Sequence, residues 1–343
     1  MIVHRGYKQL GDPFGEIMRI GKITENALKR SVLKPIKTEF KSMTSAAVGT
    51  DCAFSNDKKT FTTVCPYVEN SSDAGYYAVF KAVNGIVCQG LVPDQVNVSV
   101  LLPESAEEPE LKKIISDAIE AARICKVTYT GGHTEVTTAV NRPVVTATCV
   151  GIQEEGSDSA LFDKKARAGQ ELVITKWVAL EGTAMLAKEK FEELTGKYPV
   201  PFIDDARSFK KFMDVREEMA IALKAGISQA HDLSNGGVFA GLWEMAQKAG
   251  CGLKVDLKKI PLRQETVEIC EFFEINPYQL LSGGALLFAT DSGERLVADL
   301  EEHGIPAAIV GTLEDSNDKI IVNFDETRFL ELPQADEIHK VLS

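Results

Sequence analysis

The stretch from Glu108 to Cys125 constrains the fold most. Leu111, Ile114, Ile115, Ala118, Ile119 and Ala122 recur at helical spacing, with Lys112, Lys113 and Glu120 opposite, which predicts an amphipathic helix. A short run, Val127 to Tyr129, follows and ends in Thr130-Gly131-Gly132, so the helix must pack on a sheet. The neighbouring runs are short and rich in Val, Thr and Phe. Thr60 to Val64, Val96 to Leu102 and Val144 to Val150 are predicted strands, and Asp73 to Ile86 a helix crossing back over them. Thr24 to Leu33 predicts a helix that stops before Pro35, and Gly11 to Gly15 a turn.

The second half changes rhythm. Strands are expected over Glu171 to Thr175, Ile227 to His231, Ala285 to Ala289 and Ala307 to Val310. Helices are expected over Leu180 to Leu194, Ala206 to Ala225, Val238 to Ala249, Thr266 to Phe273 and Gly293 to Glu302. Alternation of this kind predicts a layered α/β or α+β domain. The polar stretch Gln153 to Gly169 reads as the connection, giving domains at 1–155 and 156–343.

The formal net charge of -12 disfavours nonspecific nucleic-acid or anionic-membrane binding. No apolar run has the length of a membrane span, and Met1 to Arg5 opens no signal-peptide core, so a cytoplasmic protein is expected. The 7 cysteines are scattered without a CxxC pair, which argues against a disulfide framework or a sequence-local zinc site.

Three glycine pairs sit at the mouths of predicted elements. In Thr130-Gly131-Gly132-His133-Thr134-Glu135, a permissive backbone is followed by an imidazole, a hydroxyl and a carboxylate. In His231-Asp232-Leu233-Ser234-Asn235-Gly236-Gly237, an acidic loop opens a helix whose first N–H groups could hold an anion. The third pair, Gly283-Gly284, leads into an apolar strand. Capping turns are the plain alternative, since Asp, Ser and Asn cap helices well. Together the three pairs suggest a shared ligand cleft. Asp51, Asp57, Asp73, Glu135 and Asp232 are the acids able to handle a polyphosphate's Mg²⁺.

The segments AHDLSNGGVFAGLWEMA, TGGHTEVT and VNGIVCQGLVP resemble the aminoimidazole-ribonucleotide (AIR) synthase superfamily. That group includes selenophosphate synthetase, thiamine-monophosphate kinase and the hydrogenase maturation protein HypE. The likeness spans about residues 10 to 312, and Gly21-Lys22-Ile23 and Thr175-Lys176-Trp177 make it nearest to HypE-like and AIR synthase-related proteins. The resemblance implies a β-rich, dimerising amino-terminal domain and an α/β sandwich carboxy-terminal domain. It also implies ATP and Mg²⁺ in the cleft between them, and phosphoryl transfer to a small amide-, carboxylate- or phosphate-bearing substrate.

Carried over by position, Asp51, Asp73, Glu135 and Asp232 would organise Mg²⁺. Gly131, Gly132, Thr134, Ser234, Asn235, Gly236 and Gly237 would approach the nucleotide, with His231, Asp232 and His133 as catalytic candidates. Three family carboxylates are missing, at Thr50, Val64 and Gly85. Either the metal site is rearranged, or the substrate has changed, or the chain is a noncatalytic nucleotide- or partner-binding homologue in metalloenzyme maturation. HypE proteins end in a carbamoyl-carrying cysteine. Here the last cysteine is Cys270 and the sequence ends His339-Lys340-Val341-Leu342-Ser343, so nitrile synthesis on a tail cysteine is not expected. A homodimer and a maturation-protein partner complete the expectations.

Overall fold

A computed structural model describes residues 20–41, 44–55, 59–153, 160–162 and 164–342. The expected turn at Gly11 to Gly15, the candidate Asp57 and much of the expected connection lie outside these. Among the described residues the first elements are α1 (Glu25–Leu28) and α2 (Lys34–Phe40), joined by a π turn over Lys29–Leu33. This corrects the expected stop before Pro35. The Lys34 N–H bonds back to the Lys29 carbonyl, and the wider turn carries the helix past a ring with no donor of its own.

The first sheet follows: β1 (Ala53–Phe54), β2 (Thr60–Tyr67), α3 (Ala74–Val87), β3 (Val92–Leu102), α4 (Glu108–Cys125), β4 (Thr128–Val136) and β5 (Val144–Ile152). Its strand order is β1-β2-β5-β3-β4. β3 and β4 run parallel, with α4 as their crossover. α3 and α4 cover one face, where Phe61, Val96, Val98, Val145 and Ala147 are buried. On the other face Thr62, Thr146 and Val150 are only half-buried and Val64 is exposed. The α4 stripe is shifted from expectation: Ile119 is exposed, while Asp117, Ala121 and Cys125 are buried. β4 runs well past the expected stop at Tyr129, because β3 pairs with it as far as Val136.

The second sheet is built from β6 (Glu171–Thr175), α5 (Leu180–Glu189), α6 (Phe191–Thr195), α7 (Val200–Arg207), α8 (Arg216–Ala225), β7 (Gln229–Asp232), α9 (Gly237–Ala249), β8 (Gly252–Asp256), α10 (Gln264–Phe272), β9 (Leu286–Thr290), α11 (Gly293–Glu302), β10 (Ala307–Glu314), β11 (Lys319–Asn323) and β12 (Glu326–Phe329). The order is β12-β11-β8-β10-β6-β9-β7. Alternate residues of the central strands enter two cores. Val173, Leu286 and Phe288 join α8 and α11 and are continuous with the first sheet's core. Leu172, Ile174, Leu287 and Ala289 pack on α9 through Val238, Leu242 and Met245. Burial on both faces is why these strands read as continuous apolar runs. The helix expected over Ala206 to Ala225 is broken after Phe212. Asp214 bonds the Arg216 N–H at 3.1 Å and its guanidinium, which starts α8 afresh.

Candidate functional site

The two sheets meet where α3 contacts β7, and charged side chains from both gather there. β7 ends in His231 and Asp232, each under a tenth exposed. His231 is held at both ring nitrogens: Nδ1 lies 3.1 Å from Asp51, and Nε2 lies 2.9 Å from Glu244 on α9. Burial alone would push its pKa down, but the two carboxylates outweigh that and raise it to about 10. Glu244 is lowered to about 2: burial opposes its charge, but Lys22, 3.0 Å away, and His231 prevail. The Gln89 amide donates to Asp51 at 3.1 Å. This is a closed chain of opposite charges.

Asp232 is different. Its Oδ1 is buried without a hydrogen-bond partner among the described residues. Burial and the nearby Asp51 raise it to about 7, against the pull of His231 and Lys81. Beyond it, Asn235 accepts from the Lys81 ammonium and donates to Glu69 at 2.6 Å. Glu181 of α5 accepts from the Tyr67 hydroxyl at 3.2 Å, and burial pushes its carboxyl up to about 7.

Two of the three glycine pairs come together. Asp336 accepts from Gly236 N–H at 2.6 Å and from Leu281 N–H at 3.3 Å, and Ser282 N–H bonds Ser234 O at 3.3 Å. Gly236 and Gly237 have φ of +83° and +64°, and a Cβ at Gly237 would lie 2.6 Å from Tyr278 O, so both positions demand glycine. The first N–H at the mouth of α9 is therefore held by a protein carboxylate. The first pair, Gly131-Gly132, is elsewhere. It lies inside edge strand β4, next to a register shift, and a Cβ at Gly132 would meet Val98 O at 1.8 Å. Close backbone approach explains Gly132, while a Cβ at Gly131 would meet only Asn97 Oδ1 at 3.7 Å. Thr134 is exposed on the same strand, and exposed His133 lies 3.1 Å from exposed Glu135.

The acids named from sequence are not gathered at one point. Asp73 caps α3 at the end opposite Gly85, the residue facing the Asp51 backbone, roughly 18 Å along the helix. Its carboxylate meets Lys113, Lys188 and Lys210 at 3.3, 2.7 and 2.9 Å; burial opposes its charge, but Lys188 and Lys210 outweigh this and hold it down to about 2. Glu135 is on the sheet edge. Among the described residues no three His, Cys, Asp or Glu side chains form a metal-binding group. With Asp51 and Asp73 neutralised by protein cations, this donor set does not fit the divalent ion that the resemblance implies. The departures are built in. Thr50 is exposed and bonds Ala47 O, Val64 points to the exposed sheet face, and a Cβ at Gly85 would lie 2.9 Å from the Thr63 methyl.

Next to Asp51 opens a cavity of about 820 Å³ that includes Thr50, Cys52 and Gln89. Among the described residues, Lys29, Lys34, Lys37, Lys164, Lys165 and Lys248 line it with one acid, Glu25, and apolar Leu33, Val48, Phe54 and Phe162. Sequence reading missed it, because its lysines come from three distant segments. It also missed Lys81, Glu69, Glu181, Glu244 and Asp336. For Lys81 and Glu181 a signal existed: each is a lone charge early or midway in an apolar helical run. The cysteines behave as packing residues, with burial pushing the Cys52 and Cys270 thiols up to about 12.

No helix among the described residues is long and apolar enough to cross a membrane. Comparison with known proteins places this arrangement. The chain is 29% identical over 292 residues to carbamoyl dehydratase HypE of Rhodobacter capsulatus, covering 82% of each chain. It superposes on the crystal structure of a HypE–HypF complex with TM-score 0.71 at 22% identity, over 88% of this chain and 100% of that one. It superposes on the crystal structure of HypE in complex with ATP with TM-score 0.68 at 19% identity, over 81% and 86%. Family models match residues 32–153 as the AIR synthase related protein N-terminal domain and 167–323 as the C-terminal domain. Two sheets, the first within residues 32–153 and the second within 167–323 except for β12, joined through α3 and β7, carry these matches, and the chain belongs to the AIR synthase related family.

Proposed function

We propose that the chain binds ATP and activates a small amide-, carboxylate- or phosphate-bearing substrate by phosphoryl transfer, as a step in metalloenzyme maturation. The carrying observation is the lysine-lined cavity beside Asp51. In a chain of net charge -12, a concave wall of ammonium groups concentrates positive charge where a polyphosphate needs it. The volume and the apolar floor suit a nucleoside. The relative solved with ATP and the carbamoyl dehydratases support the reading, and the HypE–HypF complex supports a maturation-protein partner.

In this proposal ATP supplies the transferable phosphoryl group and the lysines hold its charge. His231 keeps Asp51 and Glu244 in place, since both its ring nitrogens are engaged. Asp232, with its raised pKa and unpartnered oxygen, takes the proton from the substrate near neutral pH. The edge strand β4, with His133 and Glu135, and the half-bare face of the first sheet pair with a second copy of the chain. The test is titration of a non-hydrolysable ATP analogue into wild type and a Lys34→Glu/Lys37→Glu variant. Wild type should bind, and the variant should bind at least tenfold more weakly, about 1.4 kcal/mol. An analogue that does not bind wild type ends the proposal.

A second reading, a noncatalytic nucleotide- or partner-binding homologue, is favoured by one observation: Asp51, Glu244 and Asp73 are all neutralised from within the chain. Analogue binding without ATP turnover on any carbamoyl, amide or phosphate acceptor would select it.

A further inference from the structure

Lys81 is the one charged residue of α3, and it sits among acids from three other segments. Its ammonium donates to Asn235 Oδ1, and Asn235 in turn holds Glu69 at 2.6 Å. The ammonium also lies 5.7 Å from the centre of the Tyr67 ring, whose hydroxyl bonds Glu181. Burial opposes the charge, but the fields of Glu69, Glu181 and Asp232 outweigh it and keep Lys81 protonated. All three carboxylates are under a tenth exposed. One of them, Asp232, has a buried Oδ1 with no hydrogen-bond partner among the described residues. Three enclosed acids around one ammonium leave negative charge in excess.

We propose that Lys81 is a tethered cation filling the place of a divalent ion, so that the junction of the two sheets takes no such ion of its own and becomes a divalent-cation site when the ammonium is removed. The ligands would be Asp232 and Glu69, with Asn235 Oδ1 and waters completing the shell, because Mg²⁺ and Mn²⁺ need only one or two carboxylates. The missing acids at Val64 and Gly85 belong with this. Val64 faces away from the junction, and the Thr63 methyl fills the space a side chain at Gly85 would use. The inference goes beyond the proposed ATP-dependent reaction and does not rest on it.

The experiment uses Mn²⁺ alone, titrated calorimetrically into wild type, Lys81→Met, Lys81→Arg and the Lys81→Met/Asp232→Asn double variant, with no nucleotide present. Wild type and Lys81→Arg should show no binding up to about 1 mM, Lys81→Met should bind at least tenfold more tightly, and the double variant should lose that gain. Wild-type binding that Asp232→Asn abolishes would overturn the proposal, as would a Lys81→Met titration no different from wild type. Should Lys81→Met fail to fold in metal-free buffer, it is refolded with Mn²⁺. Recovery of the native melting transition supports the proposal, and no recovery overturns it.

Discussion

Two stretches of this chain read alike on paper. Residues 131–135 and 231–237 each combine a glycine pair, a histidine and an acid at a strand. In the fold they part company. His133 and Glu135 have side chains 63% and 55% exposed on an edge strand, so water screens their interaction, and Gly132 serves backbone approach. The His231 side chain is 7% exposed between two carboxylates, and Oδ1 of the neighbouring Asp232 has no hydrogen-bond partner among the described residues. Similar residues acquire distinct chemistry because only the second set is enclosed by elements far away in sequence.

The sharpest way to break the comparison is to truncate each histidine. His231→Ala should cost about 3–5 kcal/mol in urea unfolding, because Asp51 is left enclosed without its cation and Glu244 keeps only Lys22. A pH series sharpens it. His231 is raised from 6.5 to about 10, so its stabilisation is full below pH 6.5 and is lost as pH rises through 10. Glu244 is lowered from 4.5 to about 2, so its share is present above pH 4.5 and is lost as pH falls through 2. Wild type should lose stability between pH 6.5 and 10, and His231→Ala should lose less; parallel slopes would show that the imidazole charge is not what holds the junction.

Asp232→Asn comes next in size. Removing an enclosed, unpaired charge should leave the melting temperature unchanged or higher, while turnover falls at least tenfold, about 1.4 kcal/mol. A loss of stability and turnover together would mark Asp232 as structural. On the exposed side, Val64→Lys should weaken self-association and leave a 37.4 kDa monomer in size-exclusion chromatography with light scattering. A wild type already monomeric at micromolar concentration would remove the dimer. The smallest effect belongs to His133→Ala, within about 0.5 kcal/mol of wild type in monomer stability.

How much of this the sequence disclosed follows from where partners lie. α4, β6 and α11 match their expected spans because hydrophobic patterning is local. β8, β11 and β12 were not foreseen, being short, with Lys254, Glu326 and Phe329 facing water and little alternation to read. Within the site, His231 and Asp232 were legible from their loop. Glu69, Glu244 and Asp336 were not, because each is an ordinary acid until a partner as far as 222 positions away meets it. The resemblance supplied the order of segments, but not the internal cations that now neutralise the acids it pointed to.

The carboxylate of Asp336 that clamps the mouth of α9 has a consequence for biosynthesis. Gly236 leaves the ribosome 100 residues ahead of the group that fixes it. At about 5–20 residues per second, that is an interval of roughly 5–20 s in which β7 and α9 can form while the loop between them waits. Completion of the junction therefore waits until Asp336 has been made. A nascent chain stalled before Asp336 would carry both sheets with the Gly236 N–H still open to any passing anion.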